Sequence, residues 1–533
     1  MKVLVTERIA ESGIEYLKNH AEVDFKLDLP RQELLEIIGD YDAIVVRSVT
    51  KVDKELISKG KNLKVIGRAG NGVDNIDLLA ATEKGIIVVN TPEGNIISAA
   101  EHTIGLMLSI ARNIPQAYNG AINGDFRRNE FKGVELNGKT VGIIGLGRIG
   151  SLVATRLAAF GMKVIAYDPY IPDSRFEKFG AKKVSFDELL SESDFITIHT
   201  PKTEETIDII SDEEFKKVKK GVRIVNCARG GLINEEALYN AVKEGIVAAA
   251  ALDVFKVEPS YDREKQDFHN KLLELPNVVV TPHLGASTVE AQNNVGISVA
   301  KEVITALNGK LYGNIVNLPD IKADEFGELK PYMKLCEAMG ALYYQINDDP
   351  ASSVEVIFRG DISHHNTEVV TLHALKGLLM PALKEGISIV NARLRAKEMG
   401  IEVIEGKIEE IDHYSSLVTL KVTDTKGNVF KFSGTTYGDE IRIVEYLGHR
   451  VNFEPTEYML FVRNKDIPGV IGHIGNVLGD FGINIASMHV SPNKNDGTAL
   501  MIVNTDREIP HEAVESLNNL NSILRAKAVK NLI

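Results

Sequence analysis

Short runs of β-branched residues alternate with amphipathic stretches through the first hundred residues of the chain. Residues 2–6, 43–46, 64–68 and 86–90 read as strands, and residues 10–20 and 31–38 as helices between them. Such βαβα alternation predicts an open parallel sheet. Residues 96–111 form a helix too broadly apolar for a solvated surface, which predicts burial at a domain or subunit contact. Residues 113–134 are polar and Gly-bearing and read as an irregular connection. A second alternating block starts at Thr140, where VGIIG, KVIAYD, FITIHT, RIVNCA, AAALDVF and NVVVTPH are strands separated by helical patterns. Parallel strands with crossover helices predict a doubly wound sheet. Residues 290–308 are then a helix whose place after this block predicts packing back on the first lobe, making that lobe discontinuous.

Beyond Gly309 the regular alternation ends. Residues 320–329 are charged and linker-like, 331–346 are helical, 353–359 are a strand, and 368–383 and 387–399 are helical. Strands follow at 401–406, 416–424, 429–435 and 440–446, an α+β pattern. The last block reads strand 458–463, helix 470–481, strands 485–491 and 497–504, helix 511–519 and strand 523–529. That βαββαβ order is a ferredoxin-like unit.

The chain has 533 residues, which at roughly 150 residues per domain gives three or four domains. Hydrophobic residues at 44% and charged residues at 25% are those of a soluble globular protein. A net charge of −13 excludes a sequence-independent nucleic-acid binder, which needs a basic face. It leaves room for an anionic substrate, because a site needs only a few local cations. Cys227 and Cys336, the 2 cysteines, exclude a disulfide framework and read as free thiols of a reducing compartment. The start MKVLVTERIA has no signal-peptide pattern, and no apolar run reaches the roughly 18 residues a membrane span needs. The expectation is a cytoplasmic chain with neither a membrane nor a nucleic-acid partner.

The sharpest local feature is V-G-I-I-G-L-G-R-I-G, residues 141–150. Gly145, Gly147 and Gly150 form G-x-G-x-x-G between a strand and a helix: one for the tight turn, one for backbone approach to a pyrophosphate, one for close helix–strand packing. Asp168 ends the next strand, where adenosine ribose hydroxyls are held, and Pro169–Tyr170 supply no cation for a 2′-phosphate, so NAD is favoured over NADP. The bland alternative is a Gly-rich turn without ligand. His283 follows the strand at 277–280, Arg229 the strand at 222–225, and Glu258 the strand at 249–255. Ligands bind at such carboxyl ends. Imidazole, carboxylate and guanidinium there suit hydride transfer from a 2-hydroxy acid: a base for the hydroxyl proton, a group that orients it, and a clamp for the substrate carboxylate. For each, a surface charge or a helix cap is the alternative. No His/Cys/carboxylate cluster has metal-ligand spacing, so no metal is expected.

H-T-P (199–201), N-C-A-R-G-G (226–231), A-L-D-V-F with the following E-P (251–259) and P-H-L-G-A-S-T (282–288) resemble the D-isomer-specific 2-hydroxyacid dehydrogenases. Arg229, Glu258 and His283 match that family's catalytic Arg, Glu and His. G-R-A-G-N-G-V-D-N-I-D (67–77), V-V-N-T-P (88–92), N-I-I-S-A-A-E-H (95–102) and E-L-N-G-K-T (135–140) are most similar to its branch acting on 3-phospho-D-glycerate. The resemblance implies oxidation to 3-phosphohydroxypyruvate with NAD, the first step of phosphorylated L-serine biosynthesis. A sister activity on glyoxylate or hydroxypyruvate, or an NAD-sensing corepressor-like role, are the alternatives. It further implies cofactor contacts from Arg148, Ile149, Thr200, Pro201, Cys227, Ala228, Asp253, His283 and Gly285. Asp253 would hold the nicotinamide carboxamide, with capping of its own loop as the alternative. Cations for an anionic substrate are Arg47 with Ser48, Arg68, and one of Arg127 and Arg128 beside Lys132.

Residues 456–533, with R-N-K-D-I-P-G-V-I (463–471) and G-I-N-I-A-S-M (482–488), resemble an ACT domain. That resemblance implies an L-serine site at Asn464, Asp466 and Asn484, with helix capping as the alternative for Asp466. S-I-V-N-A-R-L-R-A-K-E-M-G-I-E-V (388–403) resembles the intervening domain of long-type members, and Arg393, Arg395 and Lys397 read there as a solvated helix face. The expected fold is two α/β doubly wound lobes, one flavodoxin-like and one Rossmann-like, then an α+β domain and a βαββαβ domain. The expected bounds are 1–97 with 288–309 (substrate lobe), 98–287 (NAD domain), 310–453 (intervening) and 454–533 (ACT), in a homotetramer.

Overall fold

The computed structural model describes residues 1–259, 268–383, 386–493 and 496–530. β1 (Lys2–Val5), β2 (Glu22–Phe25), β3 (Ala43–Val46), β4 (Val65–Arg68) and β5 (Ile87–Val89) pair in parallel in the order β2-β1-β3-β4-β5. This is a flavodoxin-like order, reversing between β1 and β3. Every side chain of β3 is buried, which its unbroken apolar run dictates. β2 is not evident in the sequence: it is a partly exposed edge strand with the polar text EVDF. The helix Val289–Leu307 returns to this sheet, where Val299 and Val303 close over Gly67 of β4. The helix Glu11–Lys18 crosses it with Gly13 against Gly296, backbone on backbone.

The second sheet is parallel throughout. It contains β6 (Thr140–Ile144), β7 (Lys163–Tyr167), β8 (Lys182–Lys183), β9 (Phe195–Ile198), β10 (Val222–Asn226), β11 (Val247–Leu252) and β12 (Val278–Val280), in the order β12-β11-β10-β9-β6-β7-β8. Six of these strands follow the expected pattern; β8 is an exposed two-residue edge of lysines that carries no apolar signal. The order reverses between β6 and β9, opening a crevice at their carboxyl ends. The helix Ile96–Arg112 covers its broad apolar face within the chain, against the helix Arg148–Ala159 and strands β10 and β11. Residues 113–134 are not irregular throughout: they contain the helix Ile114–Ile122 and the 3₁₀ turn Arg128–Phe131. That helix carries an apolar stripe, Ile114, Ala117, Tyr118, Ala121 and Ile122, yet buries none of its residues in this chain and leaves Ile114, Tyr118 and Ile122 exposed.

In the third unit the helix Ala323–Ile346 runs through the charged stretch expected to be a linker and carries Pro331 inside. It crosses the helix Glu368–Leu383 at Gly340 and Gly377, where added methyl groups would meet the opposing backbone. β13 (Ala351–Gly360), β14 (Glu402–Ile408), β15 (Ser416–Asp424), β16 (Val429–Tyr437), β17 (Glu440–Tyr446) and β18 (His449–Phe453) form one mixed sheet in the order β14-β13-β15-β16-β17-β18. β18 is a further edge strand, HRVNF, that the sequence pattern does not announce. β19 (Tyr458–Lys465), β20 (Ile485–Asn493), β21 (Thr498–Thr505) and β22 (Ile523–Lys530) are antiparallel in the order β20-β21-β19-β22. The third and fourth units share one hydrophobic core, in which Phe461 of β19 stacks edge-on with Tyr446 and Phe453. Among the described residues no helix is long and apolar enough to cross a membrane.

Candidate active site

The glycine loop has the geometry a dinucleotide needs. Gly145 stands at φ +89°, and a side chain there would strike the backbone of His199. A methyl group on Gly150 would strike the Gly145 carbonyl, so the helix Arg148–Ala159 starts hard against the loop. Gly147 faces open space, and no side chain caps the amides of Arg148 and Ile149 at this helix start. The Thr200 hydroxyl is buried without a partner. An unfilled cradle, uncapped amides and an orphaned donor fit a pyrophosphate. Asp168 accepts the Leu146 amide at 3.0 Å and the Tyr170 amide at 3.0 Å, tying the loop to the end of β7. The Pro201 carbonyl accepts the Thr206 hydroxyl at 2.7 Å, fixing the next turn.

Beneath the loop lies His199, half-buried, with Nε2 3.0 Å from the Thr197 hydroxyl. Burial pushes its pKa down from 6.5 to about 4. The unfolded chain takes this proton first as pH falls, so the stability of neutral His199 is complete above 6.5 and is lost toward 4. Between pH 7 and 5 this group removes about 2 kcal/mol of stability. Urea midpoints at the two values test it: His199→Gln loses that share of the pH dependence, and an unchanged dependence refutes the assignment.

The catalytic candidates come together at the carboxyl ends of β10, β11 and β12. His283 Nδ1 lies 3.0 Å from Glu258 Oε2, which turns Nε2 away toward the cleft. His283 is held at φ +54°, a left-handed conformation of order 1 kcal/mol above the ordinary regions. Asp253 sustains it. Its carbonyl accepts the His283 amide at 2.9 Å, and its carboxylate accepts the Leu284 and Gly285 amides at 2.7 and 2.9 Å and the Thr281 hydroxyl. Burial disfavours that carboxylate's charge, but hydrogen bonds from His102, Thr281 and the two amides outweigh it and hold its pKa below the usual range. The Asp253 side chain has 0% exposure and anchors the loop that carries His283.

His102, 3.2 Å from Asp253 and 3.0 Å from Thr281, belongs to this support although the sequence pattern does not single it out. Nor does it single out Asn226, which is buried, accepts the Ala228 amide at 3.0 Å and donates to the Arg229 carbonyl at 3.0 Å. The Ala228 amide is thus engaged within its own loop, and the Gly285 amide by Asp253 of the loop after β11. The Cys227 thiol is pushed up to about 12 by burial, which leaves it protonated and unreactive.

Cations gather on the facing lobe. Glu7 accepts the Arg47, Val49 and Thr50 amides at 2.8, 3.1 and 2.9 Å, which shapes the loop holding Arg47 and the exposed Ser48. Arg47 also lines an open cavity of about 810 Å³ at the ends of β1, β2 and β3. Asn75 donates to the Arg47 and Thr50 carbonyls and so joins this loop to residues 67–77. Arg68 is half-buried, with Nη1 donating to the Ala69 carbonyl at 3.3 Å and no partner for Nε; burial, then the charges of Arg229 and Arg47, lower its pKa to about 10. Arg229 crosses the cleft to Asp74, 3.4 Å away, and Arg148 of the glycine loop lies 3.8 Å from Glu93 of the first lobe.

Arg127 is exposed and paired with Asp125 at 2.7 Å; Arg128 is exposed at the start of its turn. Gln116 holds this segment to the Pro276 carbonyl at the amino end of β12, opposite His283. The cationic group is therefore Arg47, Arg68 and Arg229, with Arg127 and Arg128 outside it. In the last unit Asn464 is buried with an unpartnered side-chain oxygen, Asn484 is tied through its amide to Asp506 at 2.9 Å, and Asp466 is exposed. No side chain caps the helix Val470–Asp480, so Asp466 is not its cap.

The sequence profile of the NAD-binding domain of D-isomer-specific 2-hydroxyacid dehydrogenases matches residues 104–285, which defines an NAD-dependent oxidoreductase of that class. Profiles of the D-3-phosphoglycerate dehydrogenase intervening domain and of the ACT domain match residues 328–446 and 458–521. The chain is 46% identical over 524 residues to D-3-phosphoglycerate dehydrogenase of Methanocaldococcus jannaschii, covering 98% of each. It is 46% identical to the same enzyme of Archaeoglobus fulgidus, covering 99% of this chain and 100% of that one. Among solved structures, D-lactate dehydrogenase of Aquifex aeolicus complexed with NAD and lactic acid superposes with a TM-score of 0.53 at 33% identity, over 60% of this chain and 100% of that one. The chain belongs to the D-3-phosphoglycerate dehydrogenase family.

Proposed function

We propose that the chain oxidises the C2 hydroxyl of 3-phospho-D-glycerate with NAD, giving 3-phosphohydroxypyruvate. The observation that carries this is the His283–Glu258 pair set against three converging arginines, Arg47, Arg68 and Arg229. Two anionic groups on one small substrate, a carboxylate and a phosphate, match that much positive charge. NAD, when bound along the glycine loop, supplies the acceptor for the hydride leaving C2. Glu258 accepts the Nδ1–H of His283, which fixes the tautomer and leaves the Nε2 lone pair for the hydroxyl proton. Arg229 clamps the carboxylate by two parallel hydrogen bonds and polarises the carbonyl that forms. Arg47 and Arg68 meet the phosphate. The lobes 1–97 with 288–309 and 98–287 close over these groups and exclude water. Residues 310–453 and 454–533 serve regulation, with L-serine as the effector at Asn464, Asp466 and Asn484 across a paired ACT interface of a homotetramer.

The test is NADH oxidation with 3-phosphohydroxypyruvate against unphosphorylated hydroxypyruvate, with and without L-serine. The phosphorylated acid is expected to have the higher kcat/KM, and serine to lower turnover in wild type and not in Asn484→Ala. Preference for the unphosphorylated acid removes the substrate assignment; no response to serine in wild type removes the effector assignment.

A further inference from the structure

We propose that residues 386–398 of the intervening domain form a clip that positions the two substrate loops of the first lobe, with Arg395 and Asn391 as positioning residues. The inference rests on the assignment of Arg47, Arg68 and Arg229 to substrate.

The clip seats on one corner, Glu83–Gly85. The Glu83 carbonyl accepts Arg395 at 2.9 Å and the Asn391 side-chain amide at 3.3 Å, and the Gly85 carbonyl accepts the Ser388 hydroxyl at 3.4 Å. These donors are preset. Asn391 is fully buried, accepts the Ser388 amide at 2.7 Å and donates to the Gly386 carbonyl at 2.8 Å. Arg395 is braced by Glu398 at 2.7 Å. Gly85 stands at φ +77°, and a methyl group on it would come within 2.5 Å of the Ser388 hydroxyl oxygen, so the surfaces touch closely.

The corner controls both loops. The helix Leu78–Glu83 ends there and begins at Asp77, which caps the Ala80 amide at 2.9 Å directly after the loop bearing Arg68 and Asp74. Lys84 donates to the carbonyls of Ile57, Ser58 and Gly60 at 2.6, 3.0 and 2.9 Å. Those carbonyls end the helix Lys54–Lys59, which follows the loop bearing Arg47. A shift of the corner thus moves Arg47 and Arg68 together and leaves the nucleotide sheet in place. Arg393, two residues before Arg395, pairs instead with Glu368 and Glu405 inside its own domain, at 3.4 and 2.7 Å.

Two readouts on the full-length enzyme test this. In Arg395→Ala, amide hydrogen exchange over residues 67–77 is expected to accelerate while exchange in β6 and β10 stays unchanged. KM for 3-phosphoglycerate is expected to rise about tenfold, as misplacement of a clamp does, with KM for NAD and kcat within about twofold. Arg395→Lys keeps a charged donor and restores both readouts, and Arg393→Ala changes neither. Ser388→Ala, a milder change, moves both in the same direction. Exchange at 67–77 equal to wild type in Arg395→Ala and Ser388→Ala overturns the clip whatever the substrate proves to be. Faster exchange with KM unchanged overturns its positioning role. Failure of wild type to oxidise 3-phosphoglycerate counts against the substrate reading, and the exchange result then decides the clip alone.

Discussion

His283→Asn is expected to lower kcat about 10²- to 10⁴-fold, the range of a lost general base, while NADH binding measured by fluorescence stays at the wild-type level. Asparagine can still face Glu258, but it has no lone pair basic enough to take the hydroxyl proton. The loss falls on kcat because the imidazole acts on the reacting hydroxyl and the nucleotide rests on the glycine loop. The loop is held by Asp253 through the amides of Leu284 and Gly285 and not by the His283 side chain, so its shape survives the change. Turnover within about threefold of wild type would remove His283 from the chemistry, because a general base contributes at least roughly a hundredfold.

Arg68→Met separates stability from function. A half-buried guanidinium with no partner for Nε and two like charges nearby is held at a free-energy cost. Methionine of similar length removes that cost, so the unfolding free energy is expected to rise by about 1–3 kcal/mol. The same change removes a charge-assisted hydrogen bond, and KM for 3-phosphoglycerate is expected to rise about 10- to 100-fold. Urea unfolding and steady-state kinetics on the same preparation read both. A destabilised variant with unaltered KM would mean that Arg68 is a structural residue and that the phosphate is met elsewhere.

The two halves of the candidate site were legible to different degrees. Gly145, Gly147, Gly150, Asp168, Arg229, Glu258 and His283 lie beside strands of strong β-branched pattern, and a residue after a parallel strand must lie at the sheet's carboxyl end. Their joint position follows from local periodicity plus one topological rule. Asp253 shows where this stops. Its place after β11 was readable, but whether its carboxylate faced a ligand or the neighbouring loop depended on the path of residues 281–285. Edge strands β2, β8 and β18 escaped notice for a related reason: an edge needs pairing and not burial, so it carries little apolar signal.

The sequence by itself therefore determined the order of the four units, the dinucleotide loop and the strand ends that carry Glu258 and His283. All three are written in spacings of a few residues that one strand or helix turn enforces. Only the tertiary structure decided that Arg68 feels the charges of Arg47 and Arg229, that Asp253 and His102 support the His283 loop, and that Arg395 reaches the Glu83 carbonyl. Each of these joins residues far apart in the chain. Their distances are set by how sheets, crossover helices and domains pack, and no local pattern of side chains encodes that packing.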